Sequence, residues 1–286
     1  MPDVSEEDAI PTSYNFHDFF TVRVAHPGLN ALMRTELASF ISDVNSVDLR
    51  VESGEVPPPD RVPLRGDPFN EPNAVTETPS GSILLAKDLI RAGPVFPSEL
   101  LRWVTYAMRR HLLEKDVSFL HAAAVSRDGL GCVIPAWAHS GKTNLHLNLL
   151  TNGYDYMSDD WSFLSASGEV FAYPRHLRLY WPNFACHPHL VEALGNGRER
   201  RRVRRQLAAA QFAQSLDGSN WLAGVAQQWL SDRFFVNVKT PVSRLIPGCR
   251  TVLRATLAKV VTLTSAKSGV DIVPNVSPKQ LARKVA

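Results

Sequence analysis

Cys132-Val133-Ile134-Pro135-Ala136-Trp137-Ala138-His139-Ser140-Gly141-Lys142-Thr143-Asn144-Leu145 is the stretch on which the reading of the fold turns. Its first three residues form a short apolar run of the kind a buried strand uses. Leu145, Leu147, Leu149 and Leu150 then recur as they do on a helix. Between the two lies a loop that ends Gly-Lys-Thr. A strand, such a loop and a helix together make a phosphate-binding arrangement. The loop wraps backbone N–H groups around phosphate oxygens, and the helix N-terminus adds partial positive charge. The lysine reaches the β- and γ-phosphates, and the threonine hydroxyl can ligate Mg²⁺. The segment from Ala136 to Asn144 is therefore the candidate nucleotide site, and ATP with Mg²⁺ is the expected ligand. Ala136 stands where such loops usually carry their first glycine. Alanine disfavours φ > 0, so the loop either avoids that conformation or carries strain.

A Gly-Lys-Ser/Thr tripeptide arises by chance in roughly one chain in ten of this length, so its surroundings must decide. Upstream, Phe119 to Val125 is apolar, and Ser126-Arg127-Asp128-Gly129-Leu130-Gly131 is rich in turn residues. The two apolar runs read as a hairpin. Pairing Val125 with Cys132 places His121 near Ala136, at the mouth of the loop. Downstream, Gly153 ends the helix and a short strand brings back Asp159-Asp160, 17 and 18 residues beyond Lys142. Successive strand residues point to opposite faces. Only one aspartate can then readily face the γ-phosphate, while the other would hold metal or support the loop. Phosphoryl transfer needs such a group: a carboxylate near Mg²⁺ that can take the acceptor hydroxyl's proton.

The set His121-Ala122-Ala123-Ala124-Val125, Ser140-Gly141-Lys142-Thr143, Gly153 and Ser158-Asp159-Asp160 resembles the catalytic core of HPr kinase/phosphorylase and the HPr-kinase-like proteins. The resemblance covers about residues 100 to 180 and extends more loosely over 235 to 275. It implies a phosphoenolpyruvate-carboxykinase type of phosphate-loop core, with Lys142 on the phosphates and Thr143, Asp159 and Asp160 as metal-side candidates. By the same likeness Asp160 is the base, His121 tunes or orients it, and an arginine stands beside the transferred phosphate. Arg244 and Arg250 are the candidates for that arginine, with Arg175 and Arg178 as rivals. Members of the family often form homo-oligomers. Nothing in the chain resembles the recognition domain of the true HPr enzyme, so HPr is not the expected substrate.

The rest of the chain is read outward from this core. The 286 residues are 44% hydrophobic and 21% charged, ordinary for a soluble globular protein, and the formal charge is +3. Residues 1 to 15 are expected to be a disordered tail, acidic and without a signal peptide's apolar stretch. Residues 16 to 95 read as a small α/β unit, with strands near Phe19–Val24 and Asp48–Val51 and a helix over Leu29–Ile41. Seven prolines between Val56 and Pro79 read as a loop or linker. Ser82 to Leu85 reads as a strand. Ser98 is the expected cap of a helix carrying Leu101, Val104, Met108 and Leu112. The phosphate-loop domain is placed at 96 to 286, with further strands in Thr251–Thr264 that extend its sheet and a final short helix capped by Ser277. Cys132, Cys186 and Cys249 are too scattered for a disulfide framework. Cys186-His187-Pro188-His189 offers only three soft ligands, fewer than a structural metal site wants. Trp137 could lean over the nucleotide, and Trp221 and Trp229 read as core or interface.

Six arginines fall between Arg198 and Arg205. They read either as a solvated basic helix or as a clamp for an acidic or phosphorylated acceptor. No aromatic or motif support makes nucleic acid the expected partner. No run reaches the length of a membrane span, and the expected setting is the cytoplasm. The sequence thus points to a mixed α/β phosphate-loop kinase with a small front unit. Its favoured acceptor is a serine- or threonine-type hydroxyl of a peptide or protein. A small-molecule kinase of the same fold and a nucleotide-binding regulator with little transfer activity are the alternatives.

Overall fold

The computed structural model describes residues 10–56, 68–69, 74–136, 140–195, 197–215 and 238–263. The expectations for Trp137, Ala138 and His139, for Trp221 and Trp229, and for the helix after Ser277 lie outside these residues. The chain is mixed α/β and divides into two units, Met1–Phe119 and Leu120–Ala286. The division falls later than the expected boundary between residues 95 and 96. The helix Pro97–Leu113 (α2) goes with the first unit because it packs against the helix Pro27–Glu36 (α1).

In the first unit six strands form one sheet. They are β1 (Thr12–Phe16), β2 (Phe20–Val24), β3 (Leu49–Ser53), β4 (Ala74–Thr78), β5 (Gly81–Ala86) and β6 (Leu89–Ala92), in the order β1-β2-β3-β6-β5-β4. β2 and β3 run parallel, and α1 makes the crossover between them. Two expectations are corrected here. Thr12–Phe16 is a strand and not part of a disordered tail, because Thr12, Tyr14 and Phe16 alternate into the core and Tyr14 Oη donates to Asn30 Oδ1 at 3.0 Å. The proline-rich stretch likewise gives way at Ala74 to β4, a strand hydrogen-bonded along β5. A third correction concerns α2. Its N-cap is Phe96 and not Ser98, because Pro97 occupies the first helical position, where its missing N–H costs nothing.

A short strand, β7 (Val117–Leu120), spans the division, and the loop's own hairpin follows it. β8 (Ala122–Arg127) and β9 (Leu130–Pro135) pair antiparallel from Arg127↔Leu130 through Val125↔Cys132 to Ala122↔Pro135. Asp128 and Gly129, both at positive φ (52° and 78°), make the two-residue turn that matches strand twist. β10 (Asp155–Ser158) pairs with β8 on its other side. β15 (Arg254–Val260) runs parallel to β9 and antiparallel to β12 (Glu169–Phe171), which pairs with β11 (Ser162–Ser165). The region after Thr251 does add a strand to this sheet, and that strand enters its middle. A short pair, β13 (Leu177–Leu179) and β14 (Val238–Thr240), stands apart.

The helix Lys142–Thr151 (α3) lies on β8 and shares a core with α4 (Trp181–Cys186), α5 (Leu190–Ala193), α6 (Gly197–Ser215) and α7 (Val242–Leu245). Leu147 and Leu150 meet Val125, Tyr156, Leu177 and Phe184 there. Ala122, Ala124, Val133, Met157 and Val170 form a second core. The alternation of Ala124 and Val125 on one strand assigns them to different cores, as a period of two requires. Among the described residues no helix is long and apolar enough to cross a membrane.

Candidate phosphate-binding site

β9 delivers the chain to the loop, and Ala136 prolongs it by a parallel bridge to Leu263. Ala136 is not among the residues at positive φ. The missing glycine therefore costs no strain at this point: the backbone is still strand-like. Gly141 caps α3 at φ 90°. A Cβ at Gly141 would meet no atom within 4 Å, so its backbone conformation is what asks for glycine. The first free N–H groups of α3 follow directly.

Lys142 opens α3 and is buried, with its side chain 8% exposed. A lysine loses hydration there and needs partners. Nζ donates to Asp160 Oδ1 at 3.1 Å and to His121 Nε2 at 3.2 Å. His121 Nε2 stands 3.9 Å from the same Asp160 oxygen. An ammonium has only hydrogens to give, so His121 Nε2 is the acceptor in this contact. The register of the β8–β9 hairpin brings His121 here, since Ala122 pairs with Pro135, one residue before Ala136. Asp160 and His121 remain about half exposed and so can meet a ligand. Trp161, which the sequence reading passes over, packs on His121 with ring centroids 5.0 Å apart. Its only signal in the sequence is its place beside Asp160.

The two aspartates take opposite directions. Asp160 faces Lys142 at the surface. Asp159 is 5% exposed, and its Oδ1 lies 3.2 Å from Nδ1 of His146, which is wholly buried. Asp159, a metal-side candidate from the sequence, thus turns into the interior. His146 is the second residue that sequence reasoning misses. Its signal is its position four residues after Lys142, one turn along the same helix face. The turn holding both aspartates is tied at each end. Ser158 Oγ accepts from Tyr173 N–H at 2.6 Å, and Ser162 Oγ donates to Ala122 O at 2.9 Å.

Thr143 follows Lys142 in the first turn of α3 and is partly buried. Asn144 is turned toward α4: its Oδ1 accepts from Asn183 Nδ2 at 2.8 Å, and its Nδ2 donates to Cys186 Sγ at 3.4 Å. His187 Nε2 reaches Asn144 O at 3.3 Å, and burial pushes the His187 imidazole below its usual range. Cys186 and His187 thus brace α3. Among the described residues no cluster of three histidine, cysteine or carboxylate side chains forms a metal cage.

The arginine candidates are not gathered at this point. Arg250 forms a bidentate pair with Asp155 at 3.0 and 2.8 Å, at the start of β10. Arg244, on α7, lies against Gly195. Among the described residues neither bonds to His121, Lys142 or Asp160. Among the described residues the contacts of these two guanidinium groups are local: Arg250 pairs with Asp155, and Arg244 packs on Gly195. The Arg175 backbone accepts from Tyr156 Oη at 2.7 Å, and Arg178 sits exposed on β13 opposite Lys239. On α6, Arg200 and Arg204 are held by Glu192. Arg201, Arg202 and Arg205 are exposed and form no ion pair among the described residues.

No protein-family model matches the chain, and no curated protein matches it.

Proposed function

We propose that the Leu120–Ala286 unit is an ATP-dependent kinase that moves the γ-phosphate to a hydroxyl, with a phosphoenolpyruvate-carboxykinase type of core. One observation carries the reading: Lys142, Asp160 and His121 meet within 3.9 Å at the start of the helix that follows β9. A cation, a carboxylate and an imidazole so placed suit phosphoryl transfer, in which positioning and charge stabilisation do most of the work. Thr143 and Asp160 supply the hard oxygen donors that Mg²⁺ prefers, and Mg²⁺ characteristically completes its shell with water and phosphate oxygens. Bound there, the ion would neutralise phosphate charge.

The chain's own residues do the rest. Incoming phosphates compete for Lys142 Nζ and draw it from Asp160. The released carboxylate then accepts the proton of the acceptor hydroxyl. The hydroxyl oxygen forms a bond to the γ-phosphorus, the bond from that phosphorus to the β,γ-bridging oxygen breaks, and ADP leaves. His121, whose Nε2 stands 3.9 Å from Asp160 Oδ1, tunes the basicity of that carboxylate through its charge and dipole. The favoured acceptor is a peptide or protein hydroxyl. Arg201, Arg202 and Arg205, exposed and without an ion pair among the described residues, suit a chain that carries acidic residues. A cytoplasmic setting goes with this reading.

The test is transfer of γ-labelled ATP with Mg²⁺ into host extract split by size, with Asp160→Asn as control. Label entering peptides or proteins and lost in the variant supports the proposal. Label confined to the small fraction moves the acceptor to a metabolite. No Asp160-dependent transfer in either fraction overturns the kinase reading and leaves a nucleotide-binding regulator.

A further inference from the structure

Residues 159–161, between Ser158 at the end of β10 and Ser162 at the start of β11, carry Asp160 and belong to neither strand. What fixes a turn is the bonds its side chains make. Four are present: Ser158 to Tyr173, Asp159 to His146, Asp160 to Lys142 and Ser162 to Ala122. Two of them join the same pair of elements. Lys142 and His146 lie one turn apart on α3, and Asp160 and Asp159 are their partners in reversed order. The result is a two-rung ladder between α3 and the turn, with one rung at the surface and one in the interior.

The inner rung is built to last. His146 is 0% exposed and Asp159 5%. A carboxylate buried so deeply needs a hydrogen-bonding partner, and Nδ1 is that partner at 3.2 Å. Tyr156 stacks on the imidazole at 5.6 Å and 26°, and its hydroxyl is anchored on the Arg175 carbonyl at 2.7 Å. The ring is therefore held from behind. Among the described residues His146 Nε2 has no hydrogen-bond partner, and the imidazole's polar contact is at Nδ1. The outer rung, by contrast, must open when Lys142 turns to a phosphate. Asp160 keeps its place through that change only if something else holds the turn.

We propose that His146 and Asp159 are the positioning pair of this site: they tie the 158–162 turn to α3 and so keep Asp160 at hand whether or not Lys142 is bound to it. Neither residue touches the reacting atoms. Their effect is on the placement of Asp160, where an error of about 1 Å can cost about 100-fold in rate. The rate part of this inference rests on the kinase reading, whereas the structural part does not.

The experiment uses the full chain and three forms: wild type, Asp159→Ala and Asp159→Asn. Amide hydrogen exchange is followed at 158–161 and, as an internal standard, at 122–126 of β8. Label transfer from ATP is followed as kcat and KM. In Asp159→Ala, exchange at 158–161 is expected to quicken by at least about tenfold while 122–126 stays protected. Over the same comparison kcat falls about 10- to 100-fold, with KM for ATP within about threefold. Asp159→Asn, which keeps an oxygen facing Nδ1, recovers most of both losses. Unchanged exchange at 158–161 in Asp159→Ala overturns the proposal. So does an Asn variant as impaired as the Ala variant, or a loosened turn with kcat unaltered. If Asp159→Ala fails to fold, the double change His146→Phe with Asp159→Leu fills the same space without the bond and carries the same comparison. If wild type transfers no label, the kinase reading fails on its own, and exchange still decides whether the pair holds the turn.

Discussion

Lys142 Nζ lies in a place with little water, and Asp160 and His121 are its hydrogen-bond partners there. Removing the lysine takes away a charge-assisted bond to any bound phosphate, worth about 1.5–3 kcal/mol. Lys142→Ala is therefore expected to weaken ATP binding by about 10- to 100-fold, read by titration calorimetry. Asp160→Asn leaves the lysine without its counter-charge. Asp160 is half exposed and water screens the pair, so the loss of stability should be only about 1 kcal/mol in a urea melt. His187 gives a pH signature. Burial lowers its pKa from the ordinary 6.5, so the unfolded chain takes up the proton first as pH falls. The stability it contributes is complete above that ordinary value and is lost as pH drops below it. A His187→Asn variant should show a flatter stability profile between about pH 7.5 and pH 5, measured by thermal melting. The residues named from the sequence at this point, Lys142, Asp160 and His121, do meet. His146 and Trp161 had only the weak signals of standing one turn after Lys142 and next to Asp160, since neither residue type carries a spacing rule of its own.

At the scale of elements, α3 owes its definition to its ends. Gly141 starts it, and Gly153, at φ 85°, stops it. The Gly153 N–H bonds Leu150 O and the Tyr154 N–H bonds Leu149 O, both at 3.1 Å, which is the Schellman pattern. The stop aims the chain straight into β10 and thus toward the two aspartates. Gly153→Ala meets no atom within 4 Å, so its penalty is backbone conformation alone, about 1 kcal/mol, visible as a lowered Tm. The hairpin and α3 are legible because each is encoded by neighbours in sequence: apolar runs, a turn dipeptide, a glycine at each end. β1 and β4 were not, since one follows an acidic tail and the other a proline-rich stretch, and composition averaged over a window hides five-residue strands. The N-cap of α2 was misplaced by two residues because Ser98 is a good cap by type, while Pro97 already fills the first turn.

On the scale of the whole molecule, each unit has the means to fold on its own terms. The first has a six-stranded sheet with α1 and α2 and a core that includes Tyr14, Phe16, Leu29, Met33 and Ile83, all essentially unexposed. A fragment of residues 10–116 is expected to unfold cooperatively and give dispersed amide resonances; a molten spectrum would show that this core needs the rest of the chain. What the sequence by itself determined is the α/β character, the phosphate-loop candidate and the lysine–aspartate–histidine set, because these follow from periodicity and short spacings. What only the tertiary structure decided is non-local. β15 enters between β9 and β12, Arg250 is claimed by Asp155, and Asp159 turns inward to His146. Each depends on which distant segment becomes a neighbour. That choice is made by the burial of whole faces and the pairing of buried polar groups, and no local pattern records it.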